Sequence, residues 1–322
     1  MQFFSLEGNL ALQNVLSRME VERQKIASTQ KKGYFFIAGG IILAITGILM
    51  GLIGPAIVVG LIPIIYGGVL FYKIGDELQA YKKAYKRDVI GEALRFLDGS
   101  LTIDPYRGIL AQEFIYSQLF STDPDRYKTE DLVCGKADKT GFYFAEVHAE
   151  YKTVTQTKNG TRTEWHDIFK GIIFVADFNK NFNGVTIVRP KDFGSAIGAW
   201  FSKNLFSFNN KDVIKLENVD FDKAFITYGT DQVESRYLLT PAMMERILKL
   251  NSNSKYSISL SFIESRMYIA FPLNRNYFEA PIFKSLLNPE LLNEDITAIK
   301  FMYDIVKELD LNTRIWGKIN LC

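Results

Sequence analysis

The chain is short of the residues that usually announce chemistry. Its 322 residues include two histidines, His148 and His166, and two cysteines, Cys134 and Cys322, with no CxxC pair. That excludes a disulfide-stapled fold and a cysteine-rich zinc site, and both cysteines are expected as reduced thiols. The net charge is only +2, so there is no general basic field, and no nucleic-acid partner is expected. A GxxxxGK[ST] phosphate loop, a dinucleotide fingerprint and a GxSxG elbow are all missing. Asp192-Phe193-Gly194 spells a kinase triplet, but no HRD loop or glycine-rich loop accompanies it. Neither a fixed-period repeat nor a low-complexity tract interrupts the chain.

The most consequential absence is of charge. From Gly33 to Tyr72 there is no Asp, Glu, Lys, Arg or His, with Lys31 and Lys32 just before and Lys73 just after. As one straight helix this run would reach about 60 Å, roughly twice the hydrocarbon thickness of a bilayer. Gly51, Gly54 and Pro55 sit near its middle, where glycine permits a turn and proline cannot continue a preceding helix. The expectation is two spans, near 34–50 and 56–72, each at the short end of the spanning range, with a re-entrant hairpin as the alternative. Intramembrane ionisable residues usually mark ion and proton pathways, so a transporter made from this hairpin alone is not expected. Arg18, Arg23, Lys25, Lys31 and Lys32 precede it, and Lys73, Lys82, Lys83, Lys86 and Arg87 follow it. The positive-inside rule then places both termini in the cytoplasm.

Small residues recur at Gly40, Ala44, Gly47 and Gly51 and again at Ala56, Gly60, Pro63 and Gly67. Each set lies on one helix face, where small side chains let two backbones approach in lipid. Pro63 is expected to kink the second span. Beyond the hairpin, Leu78, Tyr81, Tyr85, Val89 and Phe96 fall at helical spacings, so a membrane-proximal helix is expected over 74–98. On the near side, a weaker stripe through Leu12, Val15, Met19 and Ile26 makes 1–32 an amphipathic helix leading into the 33–73 hairpin. Lys82, Lys83, Lys86 and Arg87 are candidates for contact with anionic headgroups.

"DGSLTIDPYRG" separates this helical part from a domain expected over 99–322. A short helix over 109–120 precedes a loop. Tyr143, Ala145, Val147, Ala149 and Tyr151 then alternate against Glu146, His148, Glu150 and Lys152, the pattern of a half-buried strand. Asn159-Gly160 supplies hairpin turn chemistry before a returning strand. "GVTIVRP", "KAFITYG", "YSISLSFIES" and "RMYIAFPL" read as further strands, and Thr240-Pro241 and Asn288-Pro289 start helices. The fold class is therefore α+β: a transmembrane hairpin and helical stalk, then an antiparallel sheet with flanking helices.

Candidate chemistry is sparse. Glu146, His148, Glu150 and Glu164 are the first polar residues to consider as an enzymatic or metal site. A two-residue Asn159-Gly160 loop puts His148 opposite Gly171 and His166 opposite Thr153, with the imidazoles on opposite faces. No shared metal or cofactor is expected. "AIGAWFSKNLFSF" gathers Trp200, Phe201 and Phe206 among few charges and is a candidate partner-binding or membrane-touching segment.

The hairpin, followed by "DLVCGKADKTGFYFAEVHAEYK", "IFKGIIFVADFNKNFNGVTIVRP" and "FDKAFITYGTDQVESRYLLTPAMMERI", resembles the bacterial membrane proteins grouped as domain of unknown function 3137. The resemblance covers nearly the whole chain, most specifically about 130–250, and implies a bacterial membrane protein. The family has no established activity and carries over no catalytic residue. The expected function is a membrane-anchored cytoplasmic interaction or regulatory module, with the lipid bilayer and a protein as partners. The alternative is a membrane-tethered enzyme with a site in the α+β domain.

Overall fold

The computed structural model describes residues 10–157, 160–178, 182–191, 212–254, 256–273, 276–309 and 311. They form two compact units: Met1–Phe96 with Phe278–Ile296, and Leu97–Tyr277 with Thr297–Cys322.

In the first unit, α1 (Leu10–Leu49) runs unbroken from polar sequence into the uncharged stretch, and α2 (Ile53–Ala84) returns. Gly51 turns the chain with φ +80°, a conformation that glycine adopts without a Cβ penalty. α2 begins ahead of residue 56 because Pro55 sits in its first turn, where a missing N–H removes no helical bond. The helix passes through Pro63 into a π-helical turn, Tyr85–Ile90, and then α3 (Gly91–Leu97).

The most apolar stretches of the two long helices are only 11% and 17% buried. A core helix of a soluble protein hides such side chains, whereas here Leu43, Ile45, Val58, Ile62 and Ile65 all face outward. Both helices are long and apolar enough to cross a bilayer, which supports membrane association. Thr46, a lone hydroxyl among those apolar residues, donates to the carbonyls of Ile42 (2.9 Å) and Leu43 (3.1 Å) and so needs no water. Aromatic rings gather at the open end, with Tyr34 4.9 Å from Phe71 and Phe36 4.8 Å from Tyr66.

Below them, residues from the segment after Phe278 dock on α1 and α2. Arg23 chelates Glu20 through Nε (2.8 Å) and Nη2 (2.7 Å), and its Nη1 donates to the Ile282 carbonyl at 2.6 Å. The amide of Leu286 donates to Glu20 at 2.9 Å, and Tyr81 OH donates to the Pro281 carbonyl at 2.8 Å. The Arg23 guanidinium holds the Glu20 carboxyl down at about 2.

The second unit is built on one nine-stranded sheet, ordered β1-β2-β3-β4-β9-β8-β5-β7-β6, in which every pairing is antiparallel. The strands are β1 Thr102–Asp104, β2 Arg126–Ala137, β3 Thr140–Thr157, β4 Gly160–Asp177, β5 Val185–Pro190, β6 Asp212–Ile214, β7 Phe225–Gly229, β8 Ser259–Ile263 and β9 Arg266–Pro272. One face of β3 and β4 packs Tyr143, Val147, Ala149, Phe169 and Ile173 against Phe114 and Phe120 of the segment around α4 (Ala111–Tyr116). On the other face, at one end of the strands, Phe142 meets Phe174 at 5.5 Å and Tyr303 of α8 (Pro289–Glu308) at 6.0 Å. The far end of that face is left for the polar residues described below.

The α+β class holds. α4 stops at Tyr116 rather than 120, because Gln118 adopts φ 51°. β2 is twelve residues long, and its first half, 126–131, falls in the loop expected after residue 120. Its alternation is broken by a bulge between Glu130 and Val133, with Asp131 at φ 61°, so neither half shows a clean period. The expected reduced state of the cysteines does not hold either. Cys134 is disulfide-bonded, and Cys322 lies outside the described residues. Separation along the chain was a poor guide, because Leu311 returns to β3 and accepts a hydrogen bond from Thr140 at 3.0 Å.

Candidate functional site

β3 sends Val147 and Ala149 into the core, and alternation sends Glu146, His148 and Glu150 to the opposite face. Directly across the ladder, His148 pairs with Lys128 on β2 and Lys170 on β4. The next row on β2 and β3 is Glu130 and Glu146; the row on the other side is Arg126, Glu150 and Asp167. Over these rows lies a cavity of about 640 Å³, lined by Tyr127, Lys128, Glu130, Glu146, His148, Lys170 and, among others, Leu273 and Asn276.

A bulge completes the site. Ala149 pairs with Phe169 but Glu150 with Asp167, leaving Ile168 as the extra residue, buried in the core. Asp167 is thereby turned toward His148, and its Oδ1 lies 2.5 Å from His148 Nε2. Glu150 accepts from Arg126 at 3.1 Å, whose guanidinium stands 3.8 Å over the Trp165 ring. Glu146 accepts from the amide of Tyr277 at 2.5 Å. Burial pushes the Tyr127 hydroxyl pKa up, so it stays protonated and donates to the Ile109 carbonyl at 2.8 Å.

The four polar residues named from sequence do not converge. Glu146, His148 and Glu150 share a face, whereas Glu164 pairs with Thr153 beside His166 on the other. His166 stacks on Tyr151 at 5.0 Å and bonds Thr153 Oγ1 at 2.8 Å. The loop was misplaced as well: Thr157 pairs with Gly160, so Gly160 closes the ladder, and Asn159 lies outside the described residues. Lys128, Glu130, Asp167 and Lys170 were missed. The first two needed β2 to be read as a strand; Asp167 and Lys170 needed the bulge, which no local residue pattern announces.

Two acidic groupings bring three donors within 4.8 Å of one another: His148, Glu150 and Asp167, and Glu130, Asp131 and Glu146. In the first, Glu150 is engaged by Arg126, and Lys128 and Lys170 are the cross-strand neighbours of His148, so cationic side chains compete with a metal ion for these donors. The arrangement is better suited to an anion.

Residues 167–311 match the family model described as "Protein of unknown function (DUF3137)". The similarity to that family is carried by residues 167–311, a little under half of the chain. The DUF3137 segment begins at Asp167, so it contains Asp167, Lys170, Leu273 and Asn276 of the cavity, while Lys128, Glu146 and His148 precede it. No curated protein matches the chain. A solved structure that resembles it is the mycobacterial trehalose monomycolate transport factor A, TtfA, at 9% identity and TM-score 0.36, covering 72% of this chain and 95% of that one. Similarity at that level supports no argument about function.

The remaining expected residues fall as follows. A methyl placed on Gly47 would run into the Cβ of Ala56; on Gly60 it would lie 2.7 Å from the Cβ of Ala44, and on Gly40 2.5 Å from the Gly60 carbonyl oxygen and 3.0 Å from Pro63. On Gly67 it would lie 2.7 Å from Ile37, whereas Gly51 has open space around it and serves the turn instead. Of the basic cluster, Lys86 is buried and, with Lys82, lies 3.8 Å from Glu279. Arg87 bonds Asp88 at 2.7 Å, and Lys83 is exposed. Trp200, Phe201 and Phe206 lie outside the described residues.

Proposed function

We propose that the protein is a membrane-anchored interaction or regulatory module, held by a helical hairpin that crosses the inner membrane of a bacterial cell twice with both termini in the cytoplasm. The observation that carries this reading is the outward exposure of apolar side chains along both long helices. Basic residues flank both ends of the hairpin and its connection carries none, which favours the cytoplasmic side. A place for a protein partner is offered by the end of the β3–β4 hairpin. Residues 152–156 and 160–164 are exposed there, and the ladders to β2 and β9 stop short of them. Such strands can accept an added strand along a free edge.

The disulfide at Cys134 pulls the other way, since cytosolic thiols are kept reduced. The test joins the two. Reporters fused at Met1 and after Cys322 should both report cytoplasm. Opposite reporter locations remove the two-span hairpin; both reporters on the far side, where a disulfide at Cys134 is favoured, invert the orientation.

A tethered enzyme is the second reading. It is favoured by the His148–Asp167 contact at the wall of a polar cavity, the kind of convergence a flat interaction surface lacks.

A further inference from the structure

We propose that the cavity over β2, β3 and β4 binds a small phosphate ester, with the phosphate at Lys128, His148 and Lys170 and a hydroxyl or ammonium donor of the ligand at Glu130 and Glu146. This goes beyond the anchoring and partner reading and does not depend on either.

The argument begins with a cost. Lys128, His148 and Lys170 are consecutive cross-strand partners, and placing basic groups directly opposite one another weakens a sheet. Other basic residues near this face have an acid beside them: Arg126 has Glu150 and Lys152 has Asp125. Among the described residues, no carboxylate lies within ion-pairing distance of Lys128 or Lys170. The core does not need them, because it lies on the opposite face. An anion seated between the two ammonium groups would remove the repulsion.

The spacing then narrows the ligand. Adjacent strands are about 4.8 Å apart, so the two lysine backbones stand roughly 10 Å apart with His148 between them, and their flexible stems can converge on one phosphate. Asp167 fixes the imidazole from the side away from Glu146. Two residues further along the strands, about 7 Å away, the Glu130–Glu146 row presents acceptors. An inorganic ion would use only the first row. A ligand carrying donors about 7 Å from its phosphorus, such as a phosphorylated polyol or amino alcohol, uses both, and 640 Å³ is ample for one. Leu273 adds apolar surface to the remainder.

The same headgroup chemistry could come from a soluble metabolite or a lipid, and the experiment separates them. The full chain in neutral detergent is titrated by calorimetry at fixed ionic strength with inorganic phosphate, glycerol 3-phosphate and the short-chain lipid dihexanoylphosphatidylglycerol. Saturable binding is expected, tighter for an ester than for inorganic phosphate; the stronger of the two ester probes identifies the source. Lys128→Gln and Lys170→Gln should each weaken binding about tenfold or more, the loss expected for a hydrogen bond to a charged group, while Lys136→Gln, exposed on β2 outside the cavity, should leave it unchanged. Lys128→Arg should restore most of the affinity. Glu130→Gln should reduce the preference for the ester over inorganic phosphate. The proposal is overturned if no probe binds, or if the cavity lysine variants bind as the Lys136 variant does.

Discussion

Ile62 in α2 is 65% exposed and Ile173 in β4 is fully buried, although both sit in the middle of long apolar runs. In the sheet unit the apolar residues face each other and the charged ones cover them. In the helical unit the small residues face each other and the large apolar ones cover them. Water drives the first arrangement. The second is stable only where the solvent is itself apolar, because there close backbone packing, and not escape from water, decides which face turns inward. The same contrast appears in polar groups. Three helices of the sheet unit have side-chain caps, Asn218 for α5 (Val219–Ala224), Asp231 for α6 (Gln232–Leu238) and Thr240 for α7 (Pro241–Asn253), while α4 follows Leu110 without one. In the helical unit α2 follows Leu52, which offers no side-chain cap.

The contrast can be broken most severely in the sheet. Phe174 is fully buried between Phe142 and Phe144, and Phe174→Ala should destabilise the second unit by about 3–5 kcal/mol in denaturant unfolding. Ile62→Ala removes a similar class of side chain from an outward position, so in detergent it should shift unfolding by well under 1 kcal/mol. Equal losses would mean the hairpin is a buried core.

Next in size is the Glu20–Arg23 pair. Its carboxyl is depressed from 4.5 to about 2, so the stability it provides is complete above pH 4.5 and is lost as pH falls towards 2. The full contribution is about 3 kcal/mol at neutral pH. Amide exchange at Leu286, which donates to Glu20, should accelerate across that window, and Glu20→Gln should abolish the pH step. A pH-independent exchange rate would show the docking rests on apolar contacts alone.

Smaller again is the effect of filling the helix–helix face. Gly47→Leu must force Ala56 away, at about 1–3 kcal/mol of overpacking, whereas Gly39→Leu on the same helix meets open space. Crosslinking between cysteines placed at Ala44 and Pro63 should fall in the first variant and not in the second. Identical crosslinking in both would leave the glycine spacing without a packing role.

What could be read in advance follows from the range of the signals. The uncharged run, the alternation through Tyr143–Tyr151 and the Thr240-Pro241 start are local patterns, and α7 begins as expected, with Thr240 Oγ1 accepting from the Met243 amide at 3.3 Å. Asn218 and Asp231 carried the same cap signal but open helices of six and seven residues, too short for a period to show. Only half of the candidate site was legible. His148 and Glu146 could be placed on a common face from β3 alone, but Lys128 came through a strand broken by a bulge, and Asp167 and Lys170 through a register set by another. A one-residue irregularity reverses the facing of every later side chain, and nothing in the residues themselves reports it.

The smallest expected effect tests the tip of the hairpin. Leu52 N donates to the Gly47 carbonyl and Gly51 N to that of Ile48, both at 3.0 Å, so the end of α1 is closed by the turn. At the start of α2, Pro55 has no N–H and Ala56 N reaches the Leu52 carbonyl at 2.9 Å, which leaves the amides of Ile53 and Gly54 as the first-turn donors needing an outside acceptor. Headgroups or water can supply one; hydrocarbon cannot. From Gly33 to Leu49 the helix is about 25 Å long, at the short end of what a crossing needs, so the position of these amides distinguishes a full crossing from a re-entrant hairpin. Leu52→Asn offers a cap at that point. If the tip reaches the interface, the variant should insert normally and change stability by no more than about 0.5–1 kcal/mol, in the stabilising direction. If the tip stops within the hydrocarbon, the polar side chain opposes insertion, and the variant should be lost from carbonate-washed membranes. That loss would replace the two-span hairpin with a re-entrant one.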